Sequence, residues 1–425
     1  MLACAKGDCP QLHILFYFCG METERLVLRK WRESDAEVLF KYASDPEVGP
    51  RAGWPPHKSV DESREIIRSI FSGEGMWAVE LKETGEPIGC AGYLPASASN
   101  LKIAQDQAEV GYWIGKPYWG KGICTEALRA VIDYCFHEKG FSGLWGDFFP
   151  DNPASGKVMT KCGFKDTGKE VLCPNLEVGA DRPVKVMKLE NTNRLYHEML
   201  SHRDPSQVEG LMRFFKTGPG QYGEGDRFLG IKVPVTREVV KACWQETGFQ
   251  ELEECIVSEY HEVRLAALLA LVEVFSHARK DKELQQQCID FYLSHTQYIN
   301  NWDLVDLSCY NLVGNWLLDK DRKLLYDLAR SGKTIWEQRI GMVSTMQFIR
   351  HGQTDDTFAI ADILLHHKHD LIQKAVGWLL REAGKRDVNA LKAYLQPRHK
   401  EMPRTMLRYA IEKFPESERK IILKN

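Results

Sequence analysis

The stretch E-V-G-Y-W-I-G-K-P-Y-W-G-K-G-I-C-T-E-A-L, residues 109–128, decides the reading of the first half of the chain. It opens with the alternation of a strand and turns tightly at Gly120 and Gly122. Residues 125–139 then set apolar side chains at helical spacing. Glycine at both turn positions removes side chains and lets backbone N–H groups approach a ligand. Thr125 and Glu126 stand where the helix begins, and the free amides and positive dipole end of a helix start suit a pyrophosphate. A lone G-x-G is an ordinary turn. Here the strand before it and the helix after it supply the context of a phosphate-binding turn.

Outward from this stretch the texture is mixed. Residues 24–29, 76–81, 87–94, 109–114, 144–149 and 184–189 read as strands. Residues 34–43, 125–139 and 153–162 read as helices. The segment N-P-A-S-G-K-V-M-T-K-C-G-F (152–164) places Asn152 where it can cap the helix carrying Ser155, Val158 and Met159. Gly163 ends that helix, and Phe164 starts another strand. Strands and helices in this alternation give an α/β domain.

From about Asn191 the texture is almost purely helical. Amphipathic segments at 263–278, 284–295, 304–318, 335–349, 357–366 and 371–383 recur with short polar breaks. Helix pairs repeat at roughly 35–40 residues, the spacing of a two-helix solenoid. The stretch G-P-G-Q-Y-G-E-G (218–225) interrupts them and reads as a flexible loop ending at Asp226.

The 425 residues fit two or three domains of about 100–200 residues. The overall charge of −3 decides nothing about nucleic acid. From Leu371 to the end, however, 13 Lys and Arg stand against 6 Asp and Glu, a local charge of +7. That basic end is either a phosphate-facing surface or a solvated helix face. The 12 cysteines form no C-x-x-C pair. They read as reduced, mostly buried thiols of a cytoplasmic protein, nucleoid-associated if the source is a prokaryote. Residues 1–20 read as an extension, disordered or non-native. Their apolar run at 12–19 is too short to span a membrane, and a poor signal peptide is the other reading. No other membrane segment is visible.

Three clusters carry possible chemistry in the helical half. Trp302 and Asp306 are four residues apart and share a helix face. Trp336 and Arg339 follow, then Gly377 and Trp378 with Lys374 and Arg381 at their flanks. A single Trp in a repeat helix is ordinarily core; recurrence suggests one lined surface. His366, His367 and His369 lie at a helix end without further ligands at suitable spacing, so no metal is expected.

At the residues quoted above, the segment 21–190 resembles the GNAT superfamily, in its ribosomal-protein N-terminal acetyltransferase-like branch. T-E-R-L-V-L-R (23–29), the strand–turn–helix, and N-x-x-S…K-x-G-F carry the resemblance. Pro117 stands at the Gln or Arg position of the family's phosphate-binding signature, whereas Gly120 and Gly122 match. The resemblance implies acetyl transfer from acetyl-CoA to an amine. Backbone groups at Trp113 and Ile114 would meet the pantetheine. Amides of Gly120, Lys121, Gly122, Ile123, Cys124 and Thr125 would hold the pyrophosphate. Glu109 is the candidate general base, acting through water. Asn152 and Ser155 would face the CoA arm or the leaving thiolate. Met159 occupies the place where many members carry a Tyr as general acid, which leaves Ser155 as the substitute. Protein N-termini, aminoglycosides, polyamines and other small amines all remain open as acceptors.

The remainder, 191–425, resembles the AlkD family of HEAT-like-repeat alkylpurine DNA glycosylases. The words W-D-L-V-D and K-A-V-G-W-L-L-R-E carry that resemblance. It implies catalysis by Trp302, Asp306, Arg339 and Trp378 on cationic N3- or N7-alkylated purines in double-stranded DNA. Arg339, Lys374 and Arg381 would hold phosphates. Phe214 or Phe215 stands at a DNA-contacting Tyr of the family. The resulting expectation is a fusion of two activities on one chain, without metal or membrane. The alternative is a non-catalytic DNA- or protein-binding scaffold that targets the acetyltransferase.

Overall fold

The structure, a computed structural model, describes residues 20–424, so the apolar run at 12–19 lies outside the described residues. These residues form two compact units, one ending at Thr192 and the other starting at Asn193.

The first unit is built on one sheet with strands β1 (Met21–Glu22), β2 (Leu26–Arg29), β3 (Met76–Leu81), β4 (Glu86–Pro95), β5 (Gln107–Ile114), β6 (Gly143–Phe148), β7 (Lys165–Asn175) and β8 (Ala180–Glu190). Their spatial order is β1-β2-β3-β4-β5-β6-β8-β7. Every neighbouring pair is antiparallel except β5 with β6. A parallel pair needs a crossover connection, and helix α3, introduced below, supplies it. Helices α1 (Ala36–Ala43), α2 (Val60–Ile66), α3 (Ile123–Tyr134) and α4 (Pro153–Lys161) complete the unit. Alternation along the strands fills two cores. Val79 and Ala91 join Leu128 and Val131 of α3, while Ala78 and Cys90 join Leu39 of α1 and Ile67 on the other side.

The parallel pairing is short. Only Gln107, Ala108 and Glu109 pair with Gly143, Leu144 and Trp145. Beyond Glu109, β4 holds β5 as far as Ile114, and β8 holds β6 as far as Phe148. Each strand therefore stays paired on its outer side while its inner side parts from its neighbour. Residues 60–66 form a helix that the apolar periodicity did not reveal, because their buried face is narrow. Strands β7 and β8 form a longer hairpin than expected. Their polar outer halves hide the strand period.

The second unit is all helical. Its helices are α5 (Arg194–Ser201), α6 (Pro205–Phe214), α7 (Val233–Cys243), α8 (Phe249–Ile256), α9 (His261–His277), α10 (Lys282–Ser294), α11 (Trp302–Ser308) and α12 (Lys323–Ser331). They continue with α13 (Ile335–Val343), α14 (Met346–Arg350), α15 (Asp355–Ile363), α16 (Asp370–Arg386), α17 (Val388–Arg398), α18 (Arg404–Ala410) and α19 (Glu416–Lys424). Helices α9, α11, α13, α16 and α18 pack side by side in sequence, and α8, α10, α12 and α17 back them. One continuous apolar core runs through this double layer. Helix α9 is buried all round from His261 to Leu271, as expected of a helix enclosed on every side.

Two expected helices are interrupted. Residues 304–318 divide into α11 and a π-helical turn at Tyr310–Gly314, and residues 335–349 break between α13 and α14 at Ser344 and Thr345. Among the described residues, the cysteines are free thiols and no helix is long and apolar enough to cross a membrane.

Gly377 is expected to give room beside Trp378. The room is taken instead by α18. A Cβ at Gly377 would stand 2.5 Å from the Met406 carbonyl oxygen and 2.5 Å from Tyr409 Cβ. Gly377→Val should therefore lower stability by about 1–3 kcal/mol. Denaturant unfolding of the full chain checks this; an unchanged midpoint would contradict the packing.

Candidate functional sites

The parting of β5 from β6 makes the first site. Gly111 faces open space on β5. Beside the gap, Gly120 and Gly122 take positive φ values of 74° and 76°, a left-handed region that glycine enters at least cost. Gly122 is the N-cap of α3, and the first intrahelical bond runs from Glu126 N to Gly122 O at 3.1 Å. The amides of Ile123, Cys124 and Thr125 thus lack intrahelical acceptors. Lys121 is exposed at the same turn.

The opening motif braces this turn, a role not legible from the sequence. Thr23 Oγ1 and the Arg25 amide donate to Glu126 Oε1 at 2.5 and 2.9 Å. Arg25 Nε donates to Glu126 Oε2 at 2.7 Å, and its Nη1 reaches the Lys121 carbonyl at 3.0 Å. Glu126 is therefore spent on holding the turn rather than on facing a phosphate.

Glu109 lies where the strands part. Ser99 Oγ donates to its Oε2 at 2.6 Å. Burial pushes its carboxyl up from the ordinary value, Ser99 opposes the rise, and the charge of Asp147 adds to it. Asp147, on β6, was not singled out in the sequence; burial raises its pKa too. Cys173 Sγ donates to Asp147 Oδ2 at 3.5 Å.

The Ile114 carbonyl accepts Trp119 Nε1 at 2.6 Å, which leaves one of its lone pairs for a ligand, and Trp113 is half-buried on the same strand. Other expected contacts are corrected. Asn152 is the N-cap of α4, yet its side chain makes no capping bond; its Nδ2 donates to the Arg51 carbonyl at 3.0 Å. Met159 is buried with its sulfur beneath the sheet, where a Cβ at Gly146 would stand 2.6 Å from it. Ser155 Oγ donates to the Tyr112 hydroxyl at 3.1 Å, and that hydroxyl donates to the Ser155 carbonyl at 2.8 Å. Tyr112 was hidden in the sequence as one aromatic of a strand. Burial raises its pKa, which keeps it a neutral proton holder.

The second site lies on the row α11–α13–α16. Trp302 opens α11, and Asp306 follows one turn later. Arg339 on α13 binds Asp306 with both ends of its fork, Nε to Oδ1 at 2.8 Å and Nη2 to Oδ2 at 2.7 Å. Its third arm reaches the Leu371 carbonyl. Burial pushes the Asp306 carboxyl up, against the opposing charge of Arg339. Two N–H donors on its two oxygens are nevertheless the partners of an ionised carboxylate. Arg339 is thus corrected as a phosphate contact. It is buried, and its donors are committed to Asp306 and to backbone.

Phe215 is buried and stacks on one face of Trp302 at 5.6 Å, while the exposed Phe214 meets the indole edge-on at 5.9 Å. Trp378 is half-buried against the core of the unit. Lys374 pairs with Asp370 at 2.6 Å and remains partly exposed. Arg381 is turned away to Glu382 and Glu412, which corrects it as a free phosphate contact. His367 Nε2 lies 3.0 Å from Gln338 Oε1, and His369 Nδ1 accepts the Leu371 amide at 3.2 Å. Both rings are therefore spent at the start of α16.

Beneath this surface lies a buried charge cluster that was not singled out. His261 bridges Asp226, 3.3 Å from Nδ1, and Asp303, 2.9 Å from Nε2. Arg264 Nη2 and Asn300 Nδ2 donate to Asp226 Oδ1 at 2.8 and 2.7 Å. Burial works against the imidazolium, but the Asp303 charge and the two carboxylate contacts win and raise His261 to about 9. Scattered in sequence, these residues show no spacing that would have revealed them.

Comparison with known proteins agrees with this division. Residues 25–165 match the model of the "Acetyltransferase (GNAT) domain" family and residues 195–414 that of the "DNA alkylation repair enzyme" family. The chain is 34% identical over 179 residues to an uncharacterized N-acetyltransferase, p20, of Bacillus licheniformis; the match spans 41% of this chain and 96% of p20. It is 30% identical over 153 residues to the uncharacterized N-acetyltransferase YoaA of Bacillus subtilis, spanning 35% of this chain and 84% of YoaA. It is also 27% identical over 151 residues to an FsC-acetyl coenzyme A-N(2)-transacetylase of Aspergillus fumigatus, spanning 34% of this chain and 63% of that enzyme.

Two outcomes follow. His261 has a folded pKa above its unfolded value of about 6.5. Its charge-linked stabilisation is therefore full below pH of about 6.5 and lost as pH rises through about 9. His261→Gln should flatten that fall in denaturant midpoints between neutral and alkaline pH; the same fall in both proteins would contradict the bridge. Gly122→Val forces a β-branched residue into the left-handed region at a cost of about 1–2 kcal/mol. Acetyl-CoA binding followed by calorimetry should weaken about five- to thirtyfold; unchanged binding would remove this turn from the site.

Proposed function

The chain belongs to the GNAT acetyltransferases through its first unit and to the DNA alkylation repair enzymes through its second, and from that premise we propose two activities. The first unit is an acetyl-CoA-dependent N-acetyltransferase, and the second is a DNA glycosylase for cationic N3- or N7-alkylated purines.

The parting of β5 and β6 beside the free amides of α3 carries the first reading. The amides of residues 121–125 would hold the pyrophosphate, and the open inner edge of β5 around Gly111 and Trp113 the pantetheine. Acetyl-CoA supplies the acetyl thioester when bound. Glu109 Oε takes a proton from the acceptor amine, directly or through water, and its raised pKa suits that task near neutral pH. Ser155 and Tyr112 hold the protons available to the departing thiolate in place of Met159. The printed name of the Aspergillus relative, an acetyl coenzyme A transacetylase, supports the same chemistry.

The Asp306 carboxylate, fixed one turn from Trp302, carries the second reading. Loss of a cationic base leaves an oxocarbenium-like sugar. An oriented carboxylate in a water-poor cleft stabilises that charge and can orient water. Trp302 and Trp378 would face the cation with about 0.5–2 kcal/mol each. Lys374 and the basic end beyond it would carry the phosphates, in a cleft of about 680 Å³ lined by Lys374, Arg408, Arg419 and Lys420 together with Asp370, Glu412 and Glu416. One observation favours a second reading, a non-catalytic DNA-binding scaffold: both oxygens of Asp306 are already taken by Arg339.

Two experiments test these readings. In the acetyltransferase, Glu109 must be ionised, so kcat/KM with an amine panel should fall as pH drops through a value above the ordinary carboxylate range. Asp147→Asn removes a like charge and should move that limb to lower pH. Glu109→Gln should lower the rate about 10²-fold or more and abolish the limb; an unaltered profile would exclude Glu109. In the glycosylase, wild-type protein should release 7-methylguanine from duplex DNA, and Asp306→Asn should slow release about 10²-fold or more. DNA binding with no release from the wild type would favour the scaffold.

A further inference from the structure

His261 opens α9, and both of its ring nitrogens face carboxylate oxygens. Nδ1 lies 3.3 Å from Asp226 Oδ2, and Nε2 lies 2.9 Å from Asp303 Oδ2. An ionised carboxylate accepts and does not donate, so both contacts are hydrogen bonds together when the ring carries a proton on each nitrogen. A neutral imidazole has one N–H and serves one of the two.

The two carboxylates do not depend on that ring equally. Asp226 also accepts Arg264 Nη2 at 2.8 Å and Asn300 Nδ2 at 2.7 Å. Asp303 is 3% exposed, and its other oxygen, Oδ1, has no hydrogen-bond partner among the described residues. His261 is therefore the donor that holds the Asp303 carboxylate, and a buried charge without a donor is costly.

Asp303 follows Trp302 in the first turn of α11. The imidazole also lies 4.7 Å from the ring of Phe215, which stacks on Trp302 at 5.6 Å, and Phe228 stacks on the imidazole at 4.8 Å. One ring thus supports Trp302 twice, through the turn that carries it and through the aromatic ring beneath it. The charged groups around His261 are Asp303 from α11, Asp226 from the loop before α7, and Arg264 from one turn along α9. Glu262, next on α9, is turned to the amides of Leu229, Gly230 and Ile231.

We propose that His261, protonated on both nitrogens, is a positioning residue of the second site: it holds Asp303 and Phe215 and so sets where Trp302 stands beside Asp306. Loss of one ring proton leaves an unmatched contact whichever nitrogen keeps its N–H. With the proton on Nδ1, Asp303 loses its donor. With the proton on Nε2, an Asp226 oxygen faces a ring lone pair at 3.3 Å. In either case the imidazole has to move, and with it the Phe215 ring under Trp302. The catalytic consequence rests on the glycosylase reading; the positioning does not.

The test follows the full chain carrying fluorotryptophan by ¹⁹F NMR, with the Trp302 signal assigned by its loss in Trp302→Phe. In the wild type that signal should shift as pH rises through about 9, while the helical circular dichroism stays constant. Single-turnover release of 7-methylguanine should fall with the same midpoint, about tenfold per pH unit above it. In Asp303→Asn an amide can donate to the neutral ring, so signal and rate should both lose this step. A Trp302 signal that stays still in the wild type overturns the proposal. So does the same step in Asp303→Asn, a shift that accompanies loss of helix, or a moving signal with a flat rate of release. Should the wild type release no base at any pH, the glycosylase reading falls, and the Trp302 titration alone decides the positioning.

Discussion

The second unit is organised around the ion pair of Asp306 and Arg339. A carboxylate and a guanidinium removed from water stay charged only if each fills the other's hydrogen-bonding positions, and this pair does so with both forks. The pair ties α11 to α13, and the third arm of Arg339 ties α13 to the start of α16. The three helices that carry Trp302, Trp336 and Trp378 are thereby fixed to one another at the level of their polar surface. Removing one partner of such a pair costs about 3–5 kcal/mol, so its geometry is held far more firmly than a surface salt bridge would be.

A second set of buried charges repeats the logic one layer down. Asp226 and Asp303 are balanced by Arg264 and by His261, whose raised pKa keeps it protonated at neutral pH. The cluster joins the end of the loop at 218–225 to α9 and to the residues flanking Trp302. In the first unit the governing constraint is of another kind. There the outer partners of β5 and β6 keep their ladders while the inner edge is released after Glu109, so backbone polar groups are left for a ligand. Thr23, Arg25 and Glu126 brace the glycine turn beside that opening.

Much of this was legible in the sequence because it is local. Strand alternation, the glycine turn at Gly120 and Gly122, and the one-turn spacing of Trp302 and Asp306 depend on neighbours a few residues apart. Residues whose meaning depends on distant partners were misread or missed. Arg339 looked like a phosphate contact because nothing in its own segment shows that Asp306 fills its fork. Asn152 looked like a capping side chain until the Arg51 carbonyl drew its amide away. Asp147, Tyr112 and His261 acquire significance only from strands and helices far along the chain. In the loop at 218–225, glycine permits the close approach that Gly223 makes to the Phe215 carbonyl, a contact that composition alone does not reveal.

On the proposed glycosylase reading, Asp306, held by Arg339 beside Trp302, stabilises positive charge on a deoxyribose. The most direct measurement compares the affinity for two duplexes, one carrying a cationic pyrrolidinium ring in place of a single sugar and one carrying the neutral tetrahydrofuran isostere. Wild-type protein should bind the cationic duplex more tightly at constant salt, and Asp306→Asn should lose that preference while keeping its affinity for the neutral duplex. Equal binding of the two duplexes by the wild-type protein would contradict the account.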